Sequence, residues 1–196
     1  MSIIQWGGRH MDIIDQAYQL YEKEQWKLAR IVIKREKDFD LNPVALNLMG
    51  SIEWKLGKVK EAKKYYLLAI KCYRDFWPAY YNLGNLSYEM GKIDKAIQYY
   101  IGALNYKGEH FKLFYNIGTC YLKKKDSKRA IYYFIKALQL KPTYLESNIN
   151  LAKAYYLRDE YQKSFLYFNT ALALDEGNNA AKIGYQKSWE KIISKT

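Results

Sequence analysis

The chain has 196 residues and a formal net charge of +12, from 32 Lys and Arg against 20 Asp and Glu. Its two cysteines are isolated from each other, which excludes a disulfide framework or a paired-cysteine metal site, and no segment reaches the roughly 18 consecutive apolar residues of a spanning helix. The charge leaves three partner classes open, namely nucleic acid, an anionic membrane surface or an acidic protein, and the lack of a secretory segment predicts a cytoplasmic protein.

The chain begins with an N-terminal extension, Met1 to His10, that precedes any repeating pattern. It contains Ile3, Ile4 and Trp6. Exposed apolar segments often mark interaction sites, so one hypothesis is that the extension fills a groove. A flexible tail, a start upstream of Met11 or residues left by cloning are the alternatives.

A divergent repeat follows at residues 11–42. Its small residues are Ala17 and Ala29, and Glu36 stands where the later repeats carry alanine. Terminal repeats are often atypical because one of their faces caps the core. We therefore expect altered packing between this repeat and the next.

Four regular repeats of 34 residues come next, at 43–76, 77–110, 111–144 and 145–178. Three positions define the period. A small residue recurs as Gly50, Gly84, Gly118 and Ala152, an aromatic residue as Tyr66, Tyr100, Phe134 and Phe168, and an alanine as Ala69, Ala103, Ala137 and Ala171. A fixed period of this length indicates a repeat architecture.

Each regular repeat predicts two helices joined by a turn. Glycine, which tolerates left-handed backbone geometry, occupies the turn at Gly57 and Gly91. Lys125 and Asp159 take the same position in the next two repeats. We expect those turns to persist with less favourable residues.

The last segment, 179–196, is predicted to form a C-terminal capping helix. Its apolar residues Ile183, Trp189, Ile192 and Ile193 are expected to cover the last exposed face of the core.

The period, the small residues and the aromatic position near the end of each second helix resemble the tetratricopeptide repeat (TPR) family. The resemblance implies an all-α fold: a right-handed α-solenoid of five helix-turn-helix repeats plus the capping helix, eleven helices in total. It also implies a concave face lined by the first helix of each repeat. The fold is a scaffold that hosts many unrelated partners.

Catalytic and cofactor-binding signatures are absent from the sequence. The two histidines, His10 and His110, have no visible constellation of nucleophile or carboxylate. The segments from Gly50 to Lys58 and from Gly84 to Lys92 have six residues between their glycines instead of the four of a phosphate loop, and they lack its final Ser or Thr. We therefore expect no enzyme, no cofactor and no metal.

Three asparagines, Asn82, Asn116 and Asn150, stand in register on the predicted first helices. An asparagine side chain both donates and accepts hydrogen bonds, so such a row can bind the backbone of an extended peptide. The row is similar to the asparagine ladder of the O-linked N-acetylglucosamine transferase TPR arm, although Leu48 interrupts it in the second repeat. The alternative is that asparagine here only supports helix packing or solvation.

Residues on the same helix faces complete the predicted peptide-binding surface. They are Tyr81, Asn85, Tyr88 and Tyr115 for apolar and polar contact, with Lys112 and Lys153 favouring an acidic peptide. The carboxylate clamp of chaperone-binding TPR domains matches this chain at only two of its five positions in either alignment. Recognition of a chaperone's terminal carboxylate is therefore not expected.

The leading hypothesis is a non-enzymatic scaffold that binds a protein or peptide segment in the concave groove. A second hypothesis comes from a weaker resemblance, because the stretches 38–41 and 174–177 are similar to parts of the magnetosome-associated TPR scaffold family. That resemblance implies a cytoplasmic homo-oligomer, peripheral on a membrane organelle, in which Met1 to His10 engages a neighbour's groove.

A third hypothesis is a basic RNA-associated adaptor. The densest basic cluster surrounds one turn and comprises Lys123, Lys124, Lys125, Lys128 and Arg129. Nucleic-acid binding would require a continuous basic stripe with aromatic side chains for stacking. A solvated turn explains the cluster more simply, so nucleic acid is not the expected partner.

Overall fold

The computed structural model describes residues 10–194, with side chains from Ile13 onward. The predicted extension lies outside this part of the chain except for His10, which begins the first helix. Within residues 10–194 every regular element is helical: eleven α-helices and one short 3-10 helix. The prediction of an all-α fold with eleven helices is confirmed for these residues. None of these helices is long and apolar enough to cross a membrane.

The chain divides into two compact units between Met90 and Gly91. The first unit contains α1 (His10–Glu22), α2 (Trp26–Ile33), the 3-10 helix (Phe39–Leu41), α3 (Pro43–Lys55), α4 (Val59–Cys72) and α5 (Trp77–Glu89). The second contains α6 (Ile93–Lys107), α7 (Phe111–Lys123), α8 (Ser127–Leu140), α9 (Leu145–Tyr156), α10 (Tyr161–Leu174) and α11 (Asn179–Ile193). Within the units, α1 packs on α2, α3 on α4, α7 on α8 and α9 on α10 as helix-turn-helix pairs.

Three helices begin at a residue whose side chain caps the helix. Asn42 Oδ1 accepts a hydrogen bond from the backbone N–H of Val44 at 3.0 Å, and Pro43 takes the first position of α3, where a missing N–H costs nothing. Asp126 and Asn178 cap α8 and α11 in the same way. Local chemistry therefore fixes the start of one helix in the first unit and two in the second.

The turns between paired helices use left-handed backbone geometry. Gly57 has a φ of 76° and Gly91 a φ of 72°, as the sequence predicts. Lys125 and Asp159 adopt φ values of 61° and 59° at the equivalent turns, so the geometry persists without glycine.

In the α3–α4 and α7–α8 pairs, the core contains an aromatic ring that lies against a glycine. Tyr66 of α4 and Phe134 of α8 are fully buried. A Cβ atom added to Gly50 of α3 would lie 2.6 Å from the Tyr66 ring, and one added to Gly118 of α7 would lie 2.7 Å from the Phe134 ring. The small residue of the 34-residue period is thus required because the aromatic side chain occupies the space above it.

The first helix pair departs from the regular plan. Helix α2 has 8 residues, whereas α4 has 14 and α8 has 14. Glu36 lies beyond the end of α2 and is buried. Phe39 of the 3-10 helix packs edge-on against Tyr65 of α4, with ring centroids 6.0 Å apart. The altered packing predicted from Glu36 takes this form: a short second helix, followed by a 3-10 helix that contacts α3 and α4.

A buried carboxylate joins α2 to α3. Glu53 is 2% exposed, and its Oε1 lies 2.8 Å from Nε of Arg30 on α2. Lys58 Nζ lies 3.8 Å from the other carboxylate oxygen. A carboxylate in this position is stabilised by its cationic partners, because burial without them would carry a large desolvation cost.

Helix α11 presents its residues differently from the prediction. Ile183, Trp189 and Ile193 are each at least half exposed, while the buried positions of α11 are Ala181 and Ser188. The prediction that the bulky residues cover the core is therefore wrong for Ile183 and Ile193. The Trp189 ring packs against Phe165, with ring centroids 5.6 Å apart. The reason is that α10 and α11 approach each other closely. The Ser164 and Ser188 hydroxyls lie 2.9 Å apart, and only small residues fit between the two helices.

The two thiols are expected to react differently. Cys120 is fully buried on α7, and burial raises the pKa of its thiol to about 12, whereas Cys72 is exposed at the end of α4. Because the thiolate is the reactive form, alkylation at neutral pH should modify one thiol per native chain and two after denaturation. Mass spectrometry of the alkylated protein measures this. Rapid modification of both thiols in the native protein would contradict the packing of α7.

Candidate functional site

The residues predicted to bind a peptide lie on first helices of both units. Tyr81, Asn82, Asn85 and Tyr88 are on α5; Lys112, Tyr115 and Asn116 are on α7; Asn150 and Lys153 are on α9. All nine are at least partly accessible to solvent. In the second unit, the structure brings Asn150, Lys153 and Tyr115 together. In the first unit, Asn82 forms a hydrogen bond with a residue outside the predicted binding set.

That additional residue is Asn47 of α3. Asn82 Nδ2 donates a hydrogen bond to Asn47 Oδ1 at 3.0 Å. Leu48 lies one 34-residue period before Asn82, but it is buried in the core. The partner is 35 positions away, a spacing that a strict 34-residue period overlooks.

The 35-residue spacing recurs between neighbouring first helices. Trp54 Nε1 of α3 donates to Glu89 Oε2 of α5 at 3.1 Å, which ties the ends of these two helices together. In the second unit, Asn150 Nδ2 donates to the Tyr115 hydroxyl at 3.3 Å. Three pairs with the same spacing indicate that side chains 35 positions apart lie opposite each other on adjacent first helices. A sequence search could use this spacing to find such pairs.

A short chain of polar contacts runs along α7 and α9. Lys153 Nζ donates to Asn150 Oδ1 at 3.4 Å, and the Tyr115 ring packs edge-on against Tyr144 at 5.1 Å. An amide group has two N–H bonds and two lone pairs. Asn150 therefore retains one donor and one acceptor position beyond these two contacts, which is enough to bond one peptide group.

Beside this chain of contacts lies a groove, here named the C-terminal groove. It has a volume of about 470 Å³ and is lined by Leu122, Lys153, Tyr156, Leu157, Phe168, Ala180, Ile183, Gly184 and Lys187. Its apolar walls are open to solvent, since Leu157 is 61% and Ile183 52% exposed, and the buried Phe168 forms its floor against Gly184. The sequence predicts Lys153 as a binding residue but not Leu157 or Ile183, because it predicts Ile183 on the core face of the cap.

The charge of the groove is positive. Lys153 and Lys187 are exposed, and none of the lining residues is acidic. A cleft with charges of one sign beside low-dielectric walls attracts groups of the opposite sign. Within residues 13–194 no cluster of three or more His, Cys, Asp or Glu side chains could hold a metal ion. The groove can therefore bind a ligand through apolar contact and through attraction of its lysines for carboxylates.

The basic cluster at the turn between α7 and α8 is partly neutralised. Lys124 Nζ lies 2.5 Å from Asp94 Oδ1, and Arg129 Nε lies 2.5 Å from Asp126 Oδ2. The backbone N–H and guanidinium of Arg129 lower the pKa of the Asp126 carboxyl. Arg129 also stacks over the Tyr121 ring at 4.4 Å. These contacts favour the interpretation of this cluster as a structured turn.

His110 immediately precedes α7 and stacks on Phe111 with ring centroids 5.3 Å apart. Burial, with Lys107 and Lys112 nearby, lowers the pKa of its imidazole. A neutral, stacked ring at a helix start has a packing role.

Comparison with known proteins adds family and fold. Models of the tetratricopeptide repeat match residues 44–76, 65–98 and 111–144. Among solved structures, the chain is similar to pilF of Pseudomonas aeruginosa, with 19% identity, a TM-score of 0.80, and coverage of 94% of this chain and 87% of that one. It is also similar to MamA, with 20% identity, a TM-score of 0.72, and coverage of 85% and 92%.

A third similar structure is YrrB, described as a TPR protein with an unusual peptide-binding site. It shares 15% identity with this chain at a TM-score of 0.73, with coverage of 89% of this chain and 90% of that one. At such identities the structural similarity establishes the fold. Among curated proteins, no sequence matches this chain.

Proposed function

We propose that this chain, a tetratricopeptide repeat (TPR) protein, is a non-enzymatic scaffold that binds a segment of a partner protein on the exposed faces of its first helices. TPR repeats typically serve as protein–protein interaction modules. The observation that supports the proposal best is the C-terminal groove, where exposed apolar side chains lie beside two lysines. Exposed apolar surface rimmed by polar groups often marks an interaction site.

The chemistry of the groove defines its preferred occupant. A volume of about 470 Å³ falls in the range of ligand-binding sites and accommodates one or two large apolar side chains. Lys153 and Lys187 at the rim favour carboxylates next to those side chains. Asn150, beside Lys153, has the donor and acceptor needed for one backbone amide. The occupant is thus an acidic segment with an apolar anchor.

The first unit offers a separate contact surface on α5. Tyr81, Asn85 and Tyr88 are partly exposed there, on the same helix as Asn82, which donates a hydrogen bond to Asn47 of α3. Tyrosine supplies a large contact area at low entropic cost, and the amides supply hydrogen bonds. In our proposal this surface binds backbone and apolar groups, whereas the C-terminal groove selects for charge.

A second copy of the chain is the alternative occupant of the C-terminal groove. The segment Met1 to His10 carries the apolar residues Ile3, Ile4 and Trp6 that such a contact needs. It contains no acidic residue, and Arg9 adds a positive charge. Because the groove is itself positive, charge complementarity favours an acidic partner over self-association.

Selection from a random peptide library on the immobilised protein tests the proposal. Selected peptides should carry Leu, Ile or Phe flanked by Asp or Glu. Their affinity should fall about tenfold or more in a Lys153→Glu/Lys187→Glu variant, because each close charge pair becomes a repulsion. An Ile183→Asp variant should weaken binding as well, since it places a charge in the apolar wall.

The matched control is Lys92→Glu/Lys95→Glu, which changes the net charge equally at two exposed lysines at the start of α6. Its affinity for the selected peptides should stay within about twofold of that of the original protein, because neither lysine lines the groove. Equal binding by the groove variants and the original protein would refute the groove as the site. Light scattering on the chain with and without residues 1–10 separates self-association from partner binding.

A further inference from the structure

We propose that the exposed face of α4, here named the lysine face and comprising Lys60, Lys63, Lys64, Leu67 and Lys71, binds an anionic membrane surface. This interaction uses another helix and another class of partner than the C-terminal groove does. It does not depend on the scaffold function being correct.

The spacing of the residues creates the lysine face. Positions separated by three, four, seven and eleven residues lie on one side of a helix. The four lysines are exposed, and Leu67 among them is 42% exposed. The opposite side of α4 is buried in the core through Ala62, Tyr66 and Ala69, so α4 presents its lysine face outward.

A shallow depression follows the same residues. Its volume is about 410 Å³ and it is lined by Lys60, Lys63, Lys64, Leu67, Leu68 and Lys71. The flexible stems of lysine can lie along the leucines while the ammonium groups reach outward. An apolar strip framed by ammonium groups is the arrangement of amphipathic helices that lie in a lipid headgroup region.

Within α4, little negative charge offsets the lysine face. Helix α4 has four lysines and one acidic residue, Glu61. Among the described residues, the ion pairs involve other lysines, such as Lys58 with Glu53, and not those of the lysine face. The four ammonium groups are therefore available to external anions.

Helix α2 repeats the pattern one pair earlier. Leu28 and Ile31 are 52% and 54% exposed, and Lys27 and Lys34 beside them are exposed as well. Both α2 and α4 are the second helices of their pairs, and both pack against α3. Stacked repeats place equivalent helices on the same side, which extends the basic and apolar surface over two helices.

The side chains favour lipid over nucleic acid. Single-stranded nucleic acid binds through aromatic rings that stack on bases, but the apolar member of the lysine face is Leu67. Of the two rings on α4, Tyr66 is fully buried and Tyr65 is partly buried against Phe39. Leucine instead inserts between lipid headgroups, and each lysine near an anionic leaflet contributes about fivefold to the binding constant.

Co-sedimentation with vesicles tests the inference. The full chain should bind vesicles of phosphatidylcholine with phosphatidylserine and show at least about tenfold weaker binding to phosphatidylcholine alone. Lys63→Glu/Lys64→Glu should reduce binding to the anionic vesicles by at least about tenfold. Leu67→Ser should reduce it by a smaller factor without changing the charge.

The control variant is Lys182→Glu/Lys191→Glu on α11, which alters the net charge by the same amount at exposed positions. It should retain binding within about threefold, a difference that long-range attraction explains. Equal losses in both charge variants would overturn the inference, because they would show attraction by net charge alone. Equally tight binding to single-stranded RNA, lost in Lys63→Glu/Lys64→Glu, would also overturn it. Circular dichroism of each variant excludes misfolding as the cause.

Discussion

Replacing Phe134 with alanine is expected to lower the free energy of unfolding by about 3–5 kcal/mol. The Phe134 ring is fully buried and lies directly above Gly118 of the preceding helix. Truncation removes the ring from its apolar surroundings and leaves a cavity that α7 and α8 cannot close without moving. Urea denaturation followed by circular dichroism measures the change.

The control lies two positions earlier on the same helix. Tyr132 is 56% exposed, and Tyr132→Ala should cost less than about 1 kcal/mol.

Gly118→Ala alters the same contact from α7, since the added Cβ would lie 2.7 Å from the Phe134 ring. Although alanine has a better helix propensity than glycine, the substitution should lower the free energy of unfolding by about 1–3 kcal/mol through overpacking. Equal effects of Phe134→Ala and Tyr132→Ala would show that the ring does not hold the pair together.

Replacing Glu53 with alanine is expected to lower the free energy of unfolding by about 2–3 kcal/mol. Removing one partner of a fully buried ion pair typically costs about 3–5 kcal/mol, and the value is reduced here because the Arg30 side chain is 36% exposed and can be solvated. The loss also removes the ion pair between α2 and α3, and α2 is the shortest α-helix of the described chain. Urea denaturation followed by tryptophan fluorescence measures the change, and Trp26 on α2 and Trp54 on α3 contribute to the signal.

The matched substitution is Glu61→Ala on α4, where the carboxylate is exposed. Its effect should stay within about 0.5 kcal/mol. If Glu53→Ala proves as mild as Glu61→Ala, the carboxylate does not anchor the first helix pair, and the pairing of α2 with α3 must rest on apolar contacts alone.

The 34-residue period predicts much of the fold because it reflects a packing requirement. Gly50 and Gly118 must be small for the rings of Tyr66 and Phe134 to fit, so the sequence itself records these contacts. The turns are equally predictable, since Lys125 adopts the left-handed geometry that glycine has at Gly57. Such features depend on neighbours within one repeat.

Features that depend on contacts between repeats were harder to predict. The partner of Asn82 is Asn47, at an offset of 35, because adjacent first helices are displaced by one residue relative to the period. Nothing in the sequence separates the buried Glu53 from exposed glutamates, since its burial depends on Arg30 of another helix. The predicted burial of Ile183 is wrong for a similar reason. Gly184 and Ser188 permit a close helix contact, which leaves Ile183 on the exposed side of α11.

The sequence accounts for only some residues around the C-terminal groove. The asparagine positions and Lys153 lie at accessible positions on first helices, but the apolar walls of the C-terminal groove were not foreseen. Exposed apolar residues carry no periodic signature, because they are recognised only once the surrounding helices are placed.

The contacts among Tyr115, Asn150 and Lys153 also affect the thermodynamics of any complex formed there. A hydrogen bond of 3.3 Å joins Tyr115 and Asn150 in the unbound protein, and Lys153 Nζ lies 3.4 Å from Asn150 Oδ1. Immobilising a flexible side chain on association costs about 0.5–1.5 kcal/mol, and these contacts shift part of that cost to folding. A partner would therefore meet a partly ordered surface, and differences in affinity among partners would appear mainly in their dissociation rates.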